Sequence, residues 1–212
     1  IADADVKYGL SVMGIVNPKQ IYANDKGRPS DVLILTKPLG TGILSTAVKG
    51  EMASEEETAY AASVMATLNR YARDKVADLQ VHACTDVTGF GFLGHLHEMM
   101  DGRLSCRIDG AAVPIFPEAV HHANEFLLTA AGQKNRNHVG AYVTFEDSSF
   151  ATEELLFDPQ TSGGLLLAVD GKDAKELEKE LQKAGLPAKI VGEVTEKADM
   201  EIRVRGKVNG MI

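Results

Sequence analysis

The sequence predicts a layered α/β domain, with a mixed sheet and flanking helices. Short apolar segments typical of buried strands alternate with longer segments whose apolar residues recur at helical spacing. The 212 residues are 44% hydrophobic and 25% charged, which is typical of a globular protein with its own core. The sequence therefore indicates one complete domain and part of a second.

Apolar segments bounded by glycine, proline or polar residues predict the strands. In chain order, the predicted strands are 8–16, 31–36, 81–84, 106–109, 165–169, 191–194 and 201–204. Asn17-Pro18 and a polar turn at 24–27 separate the first strand from the rest, and the chain begins with Ile1 and not with methionine. We therefore expect a fragment or a processed product, in which 1–20 is the last strand of a mostly absent N-terminal domain and 21–212 is the C-terminal domain.

Capping residues and helical spacing predict helices between the strands. Ser54 with Glu57 three residues later forms a capping box, and apolar residues then recur at helical spacing to about residue 73. The other predicted helices are a short one after residue 42, one that carries Phe92, Leu96 and Met99 on one face, one after Pro117, a short one near Glu153, and one that begins near Asp173 with Glu176 as its box partner. Residues 129–137 are predicted to form a polar loop.

Charge and cysteine content narrow the range of partners and sites that the protein can have. The formal net charge of -8 disfavours nucleic acid as a partner, because a phosphate backbone would be repelled. Cys84 and Cys106 form no C-x-x-C pair, so we expect a reduced cytoplasmic protein without a zinc site or a disulfide framework. No apolar run reaches the length of a membrane span, and we expect no membrane partner.

The most informative segment is 85–94, where a predicted strand ends in a glycine-rich turn and a helix begins. Glycine brings backbone N–H groups close to a ligand, and the N-terminal end of a helix favours an anion, usually phosphate. Thr85, Thr88 and Gly89 are therefore candidate contacts for a bound phosphate group. Asp86 beside them makes sense if Mg²⁺ bridges its carboxylate to a phosphate, because Mg²⁺ is often held by one or two carboxylates plus phosphate oxygens.

Two other interpretations of this segment stay open. The spacing Gly89-x-Gly91-x-x-Gly94, with Asp109 roughly 20 residues further on, matches the dinucleotide-binding fingerprint of a Rossmann oxidoreductase. Against that interpretation, Asp86 would lie close to the pyrophosphate with nothing to offset its charge. The third interpretation is a capping aspartate with turn glycines and no ligand.

Several blocks of the sequence resemble the signature blocks of selenophosphate synthetase (selenide, water dikinase). They are 8–12 (YGLSV), 36–42 (TKPLGTG), 85–95 (TDVTGFGFLGH), Gly132 with 135–137, and 158–166 (DPQTSGGLL). The blocks occur in the family's order and span nearly the whole chain, and the 158–164 run is long and specific. Together they are stronger evidence than any single glycine motif.

The resemblance implies the fold of the aminoimidazole ribonucleotide synthetase superfamily, with two α/β domains and typically a homodimer. It implies a reaction in which ATP, selenide and water give selenophosphate, AMP and phosphate, with Mg²⁺ required. Asp86 matches a family aspartate that ligates the magnesium ions bridging the ATP phosphates. The family's reactive cysteine or selenocysteine and its catalytic lysine lie before the start of this chain. No catalytic residue is therefore expected within it, and we expect the 212 residues alone to be inactive.

Four further residues are candidates for lining the ligand cleft. Lys37 follows a strand in a Pro/Gly loop, and it either reaches a phosphate or is solvated. Gln160, Thr161 and Ser162 either form a tight turn with satisfied side chains or line a cleft near selenide or phosphate, which the family match favours. Two alternatives for the whole chain stay open. One is another superfamily member, such as aminoimidazole ribonucleotide synthetase or thiamine-monophosphate kinase, and the other is a non-catalytic dimerisation or binding module.

Overall fold

A computed structural model describes residues 9, 11–18, 21–77 and 79–209 of the chain. Within these ranges seven strands form one sheet: β1 (Val32–Leu35), β2 (Val81–Asp86), β3 (Leu104–Asp109), β4 (Val143–Glu146), β5 (Leu165–Val169), β6 (Lys189–Glu196) and β7 (Ile202–Arg205). Their spatial order is β2-β5-β1-β6-β3-β7-β4. The pairs β3·β7 and β4·β7 are parallel, and the other pairs are antiparallel. The predicted mixed sheet is therefore confirmed, and only β4 was not foreseen.

Eight helices accompany the sheet in the described ranges: α1 (Thr41–Lys49), α2 (Glu55–Ala66), α3 (Arg70–Lys75), α4 (Gly91–Met100), α5 (Pro117–Asn124), α6 (Ala130–Val139), α7 (Phe150–Phe157) and α8 (Gly171–Lys183). The predicted capping box of α2 is confirmed, because Ser54 Oγ accepts the Glu57 N–H and Glu57 Oε2 accepts the Ser54 N–H. In the part of the chain that the structure covers, no helix combines the length and apolar character of a membrane span.

Two apolar cores lie on opposite faces of the sheet. On β1, Leu33 and Leu35 belong to the larger core, whereas Ile34 belongs to the smaller one, as the alternation of side chains along a strand requires. The larger core includes the stripe that was predicted for α4, and Phe92, Leu96 and Met99 are fully buried there. The smaller core is covered by the apolar stripe of α8 and by Ala72 of α3. Helices thus pack on both faces of the sheet.

The strand directions bring three distant segments to one edge of the sheet. β5 is antiparallel to both of its neighbours, with Leu166 opposite Leu35 and Leu165 opposite Asp86. The start of β5 therefore lies beside the ends of β1 and β2. The segments at this edge are the 36–40 loop after β1, the glycine loop (87–90) after β2, and the 158–164 turn before β5.

Three predicted elements differ from the structure. The described residues of the predicted strand at 8–16, which are 9 and 11–16, form no strand and are exposed, while residues 8 and 10 lie outside the described ranges. The predicted long helix after Ser54 ends at Ala66 and α3 follows, because Leu68 and Tyr71 are more than half exposed and do not continue the buried stripe. The assignment of 1–20 to a preceding domain stays a prediction.

The third difference concerns 129–137, which is a helix and not a loop. Thr129 caps α6 by accepting the Gly132 N–H through its hydroxyl oxygen. The inner face of α6 carries small or polar residues, Gly132 and Asn135, together with Val139. Because few apolar residues recur along it, the spacing that indicates a helix was absent from the sequence.

Candidate functional site

Backbone hydrogen bonds join the glycine loop to the 158–164 turn. The Val87 N–H donates to the Gly164 carbonyl over 2.8 Å, and the Gln160 N–H donates to the Thr88 carbonyl over 2.9 Å. The Leu165 N–H donates to Thr36 Oγ1 over 2.8 Å, which attaches the end of β1 to the same turn. Three of the sequence blocks that are far apart in the chain therefore form one continuous structure.

Two glycines allow the backbones to approach closely here. A Cβ atom at Gly163 would lie 2.0 Å from the Val87 carbonyl oxygen, so a side chain there cannot coexist with the present loop. At Gly91, φ is +70° and a Cβ would lie 2.7 Å from the Phe157 carbonyl oxygen. Both the left-handed backbone and the contact therefore require glycine at the start of α4.

Side chains of the 158–164 turn occupy the N-terminal end of α1. Gln160 Oε1 accepts the Gly40 and Thr41 N–H groups, and it also accepts the Thr41 hydroxyl. Asp158 Oδ2 accepts the Gly42 and Ile43 N–H groups over 2.9 and 3.2 Å. These are the N–H groups that a helix leaves without an intrahelical partner. The chain itself therefore closes this end of α1 to a ligand.

The N-terminal end of α4 is open by contrast. Phe90 occupies the N-cap position, and no side chain of the described residues caps this helix. Gly89 is exposed, and an atom added at its Cβ position would meet nothing within 4 Å. Of the two helices that begin at this edge, α4 is thus the one that no described side chain caps, and the positive end of its dipole favours an anion, although its Gly91 N–H already donates to the Thr88 carbonyl.

The predicted metal and phosphate contacts lie around this open end. Asp86 is the last residue of β2, and its side chain is exposed with no hydrogen bond or ion pair to any described residue. Thr85 and Thr88 are half-buried on either side of it. Asp86 is thus neither a cap nor a member of an ion pair in the described chain. This placement favours the ligand interpretation of the glycine loop over the capping interpretation.

The hydroxyl of Thr88 continues into a short chain of polar side chains. Thr88 Oγ1 lies 3.3 Å from His95 Nε2, and His95 Nδ1 lies 3.1 Å from Glu98 Oε2. His95 is buried, whereas the Glu98 carboxylate is partly exposed at the surface of α4. The Phe90 ring packs against the imidazole, with 5.7 Å between the ring centroids. These contacts were not foreseen from the sequence, although the spacing of His95 and Glu98 is the one that places two side chains on the same side of a helix.

The four candidate cleft residues occupy different positions. Lys37 is buried, its Nζ donates to the Ser162 carbonyl over 2.9 Å, and burial lowers the pKa of its ammonium group. Thr161 and Ser162 are exposed. Gln160 is only 4% exposed, and both ends of its carboxamide bind groups of the chain. Gln160 therefore stabilises the turn from its buried side, while Thr161 and Ser162 face solvent.

Burial changes the proton affinity of Asp158. Asp158 is 1% exposed, and burial raises the pKa of its carboxyl group to about 7. The hydrogen bonds from Ile43, Thr129, Gly42 and Gln160 act in the opposite direction, because each of them stabilises the carboxylate. Asp158 thus links α1 to the cap of α6, and this role was not foreseen from the sequence.

The block formed by Gly132 with 135–137 also reaches the glycine loop. Asn135 is buried, and its Nδ2 donates to the Gly89 and Phe157 carbonyls over 3.0 and 2.9 Å. Arg136 pairs with Glu153 and Glu154, and its guanidinium lies 4.8 Å from the centroid of the Phe157 ring. Asn135 therefore holds the loop, and Arg136 is already neutralised by carboxylates of α7.

The strand order excludes the Rossmann interpretation. A dinucleotide fold needs the strand before the glycine loop and the strand that ends in the ribose-binding acid to lie in one βαβ unit. Here β5, β1 and β6 separate β2 from β3. Asp109 at the end of β3 instead accepts the Ala111 N–H and caps a short 3-10 turn.

Neither cysteine resembles an activated nucleophile. Burial raises the pKa of the Cys84 thiol to about 11, and it raises the pKa of the buried Cys106 thiol further. A reactive cysteine has a lowered pKa, since the thiolate is the attacking species. Both thiols are therefore structural in the described chain.

Comparison with known proteins identifies the family. The family model for AIR synthase related protein, C-terminal domain, matches residues 28–205. The selenide, water dikinase of Agathobacter rectalis is 51% identical over 205 residues, which cover 96% of this chain and 60% of that protein. The selenide, water dikinase of Desulfitobacterium hafniense (strain Y51) is 46% identical over 205 residues, covering 97% of this chain and 60% of that protein.

Structural comparison agrees at the level of the fold. A crystal structure of the hydrogenase maturation protein HypE matches 87% of this chain and 50% of its own with a TM-score of 0.61, and at 17% identity this likeness concerns the fold alone. The chain spans about 60% of the length of the curated relatives that it matches. On the match over 28–205, the chain belongs to the family of AIR synthase related proteins, C-terminal domain.

Proposed function

We propose that this chain is the C-terminal part of a selenophosphate synthetase, a transferase that converts ATP, selenide and water into selenophosphate, AMP and phosphate. The observation that carries the proposal is the open end of α4 beside the unpaired carboxylate of Asp86. The similarity to two selenide, water dikinases over almost the whole chain supports the choice of reaction. We expect the complete protein to act in the cytoplasm as a homodimer.

The residues at this end fit a magnesium ion. Asp86 is an exposed oxygen ligand without a partner among the described residues, and Mg²⁺ prefers such hard oxygen ligands. When bound, the ion would neutralise part of the charge on the phosphate oxygens. Asp86 would then hold the cation beside the glycine loop, and the N-terminal end of α4 would attract the phosphate.

The remaining contacts are assigned from the same geometry. Gly89 exposes backbone at the loop tip, and Thr85 and Thr88 offer hydroxyl groups on either side of Asp86. These three residues are proposed to surround the phosphate end of Mg²⁺-ATP, each in contact with a phosphate oxygen or with the cation bound to it. Thr161 and Ser162 form the exposed part of the neighbouring turn and are proposed to line the cleft. Lys37 supports them through its bond to the Ser162 carbonyl.

The chain alone is proposed to lack turnover. The two thiols are buried or half-buried and have raised pKa values, so neither supplies the nucleophile of the family reaction. Turnover would then need groups that the described residues do not provide. Other members of the superfamily share the fold, and the identity to the two selenide, water dikinases favours selenide as the substrate over theirs.

A chimeric enzyme tests the proposal. The C-terminal part of the Agathobacter rectalis enzyme is replaced by this chain, and AMP release from ATP is measured with and without selenide. We expect selenide-dependent AMP formation by the chimera and none by the chain alone. AMP formation at the same rate with and without selenide, or turnover by the chain alone, would contradict the proposal.

Two variants of the chimera test the metal site. Asp86→Asn is expected to abolish selenide-dependent AMP formation at ordinary Mg²⁺ concentrations, because the amide loses the negative charge that holds the cation. Asp199→Asn is the matched control, because Asp199 is also exposed and has no ion pair among the described residues. Equal activity of the two variants would exclude Asp86 as the cation ligand.

A further inference from the structure

The Thr88, His95 and Glu98 side chains form a continuous polar chain that ends at the proposed phosphate site. The distances are 3.3 Å from Thr88 Oγ1 to His95 Nε2 and 3.1 Å from His95 Nδ1 to Glu98 Oε2. The histidine side chain is 8% exposed, whereas the Glu98 side chain is 43% exposed. Any role of these three side chains toward a ligand rests on the proposed function, which assigns that ligand to the site beside Asp86.

For a neutral His95 ring, the chemistry of the groups fixes the direction of both hydrogen bonds. A carboxylate accepts hydrogen bonds and donates none, so His95 carries its proton on Nδ1. Nε2 of the neutral ring then has only a lone pair, and the Thr88 hydroxyl must donate to it. With its single proton used in this way, the Thr88 oxygen has only lone pairs left for a ligand.

Full use of both ring nitrogens distinguishes His95 from the other buried histidines. In the described chain, His82 Nε2 and His122 Nε2 are buried without a hydrogen-bond partner. Each of these two rings faces a carboxylate, since His82 Nδ1 lies 2.7 Å from Asp31 Oδ1 and His122 Nε2 lies 3.8 Å from Glu57 Oε1, but neither ring uses both nitrogens in hydrogen bonds. His95 instead connects a surface carboxylate to a hydroxyl group at the site.

We propose that Glu98 and His95 are positioning residues that make the Thr88 hydroxyl an acceptor on its ligand side. Phosphate oxygens are themselves acceptors, so Thr88 in this state does not bind them directly. A divalent cation, or a water bound to it, does accept a lone pair, and threonine hydroxyls are known ligands of Mg²⁺ beside glycine-rich phosphate loops. Thr88 is thus assigned to the cation held by Asp86, and the N–H groups of Gly89 and Phe90, for which the described chain supplies no backbone acceptor, are left for the phosphate.

The tautomer of His95 tests the inference without any ligand. ¹⁵N NMR of the histidine rings in the 212-residue chain is expected to show His95 protonated on Nδ1. Glu98→Gln is expected to move the proton to Nε2, because a glutamine amide can donate to Nδ1. Glu201→Gln is the matched control, and it should leave the tautomer of His95 unchanged. Glu201 Oε1 lies 2.5 Å from Nδ1 of His97, which is on the same helix as His95. A His95 ring protonated on Nε2 in the unmodified chain would overturn the inference.

Manganese binding separates this inference from the proposed function. Mn²⁺ added to the chain is expected to broaden the amide signals of 85–89, and Asp86→Asn should abolish the effect. Glu98→Gln and Thr88→Val are expected to weaken Mn²⁺ binding about ten-fold or more, as is usual when the group that orients a metal ligand is lost, while Thr88→Ser retains it. Absence of broadening in the unmodified chain would refute the cation site itself. Broadening that is unaffected by Glu98→Gln would refute only the positioning role.

Discussion

Replacing Gly163 by alanine tests whether the 158–164 turn sets the position of the glycine loop. The added Cβ would lie 2.0 Å from the Val87 carbonyl oxygen and 3.1 Å from Gln160 Cβ. The first of these neighbours is backbone, which cannot rotate away as the end of a side chain can. The loop must therefore move as a unit, and it takes the Thr88 carbonyl with it.

The structure sets the size of the effect. Inserting a methyl group into a packed site costs about 1–3 kcal/mol. Movement of the loop also weakens the Val87-to-Gly164 and Gln160-to-Thr88 hydrogen bonds, each worth about 1 kcal/mol. We therefore expect Gly163→Ala to lower the free energy of unfolding by about 3 kcal/mol, which for a domain of this size lowers Tm by roughly 6–12 °C.

Urea unfolding followed by circular dichroism measures this change, with Gly89→Ala as the matched control. Gly89 lies in the same loop, but its added Cβ meets nothing within 4 Å. That variant should be as stable as the parent, or up to about 1 kcal/mol more stable because its unfolded chain has less freedom. If Gly163→Ala unfolds within about 0.5 kcal/mol of Gly89→Ala, the close contact between the turn and the loop does not exist in solution.

Two further predictions concern buried ionisable groups. Because burial raises the pKa of Asp158 to about 7, the folded state keeps a proton that the unfolded state loses near pH 4. Urea titration measures how much the unfolding free energy of the parent exceeds that of Asp158→Asn. This difference should be greatest below pH 4 and fall as the pH rises to 7. A difference that grows with pH would contradict the raised pKa. The thiols of Cys84 and Cys106 should react with a disulfide reagent at pH 8 about 100-fold more slowly in the native chain than in urea, and fast native reaction of either would contradict their raised pKa values.

Local signals in the sequence were sufficient for much of the fold. The Ser54 cap with Glu57 fixed the start of α2, because both halves of that interaction lie within one helical turn. The buried runs that became β1 and β5 were recognisable because helices cover both faces of those strands. The stripe of α4 was recognisable because its apolar residues recur at helical spacing.

Elements held by polar contacts were not recognisable in this way. α6 is anchored by the Thr129 hydroxyl and by Asn135, whose amide binds the carbonyls of Gly89 and Phe157. Neither contact leaves a periodic apolar pattern, so the segment resembled a loop. The same reason explains Asp158, since a buried aspartate bonded to a helix end 116 residues earlier has no local signature.

The choice of ligand site depends on a comparison that the sequence alone cannot make. Both α1 and α4 begin after a strand and a glycine-rich segment, so both are candidates for a phosphate site by the same reasoning. The difference lies 120 residues further along the chain, where Gln160 supplies the oxygen that fills the end of α1. Because β5 is antiparallel to its two neighbours, the 158–164 turn reaches the N-terminal ends of both α1 and α4. Its side-chain oxygens fill the end of α1, whereas near α4 the turn only forms backbone hydrogen bonds to the glycine loop that precedes the helix. The end without a side-chain cap is the one beside Asp86, and for that reason the magnesium and phosphate sites are proposed at the glycine loop and not at the loop after β1.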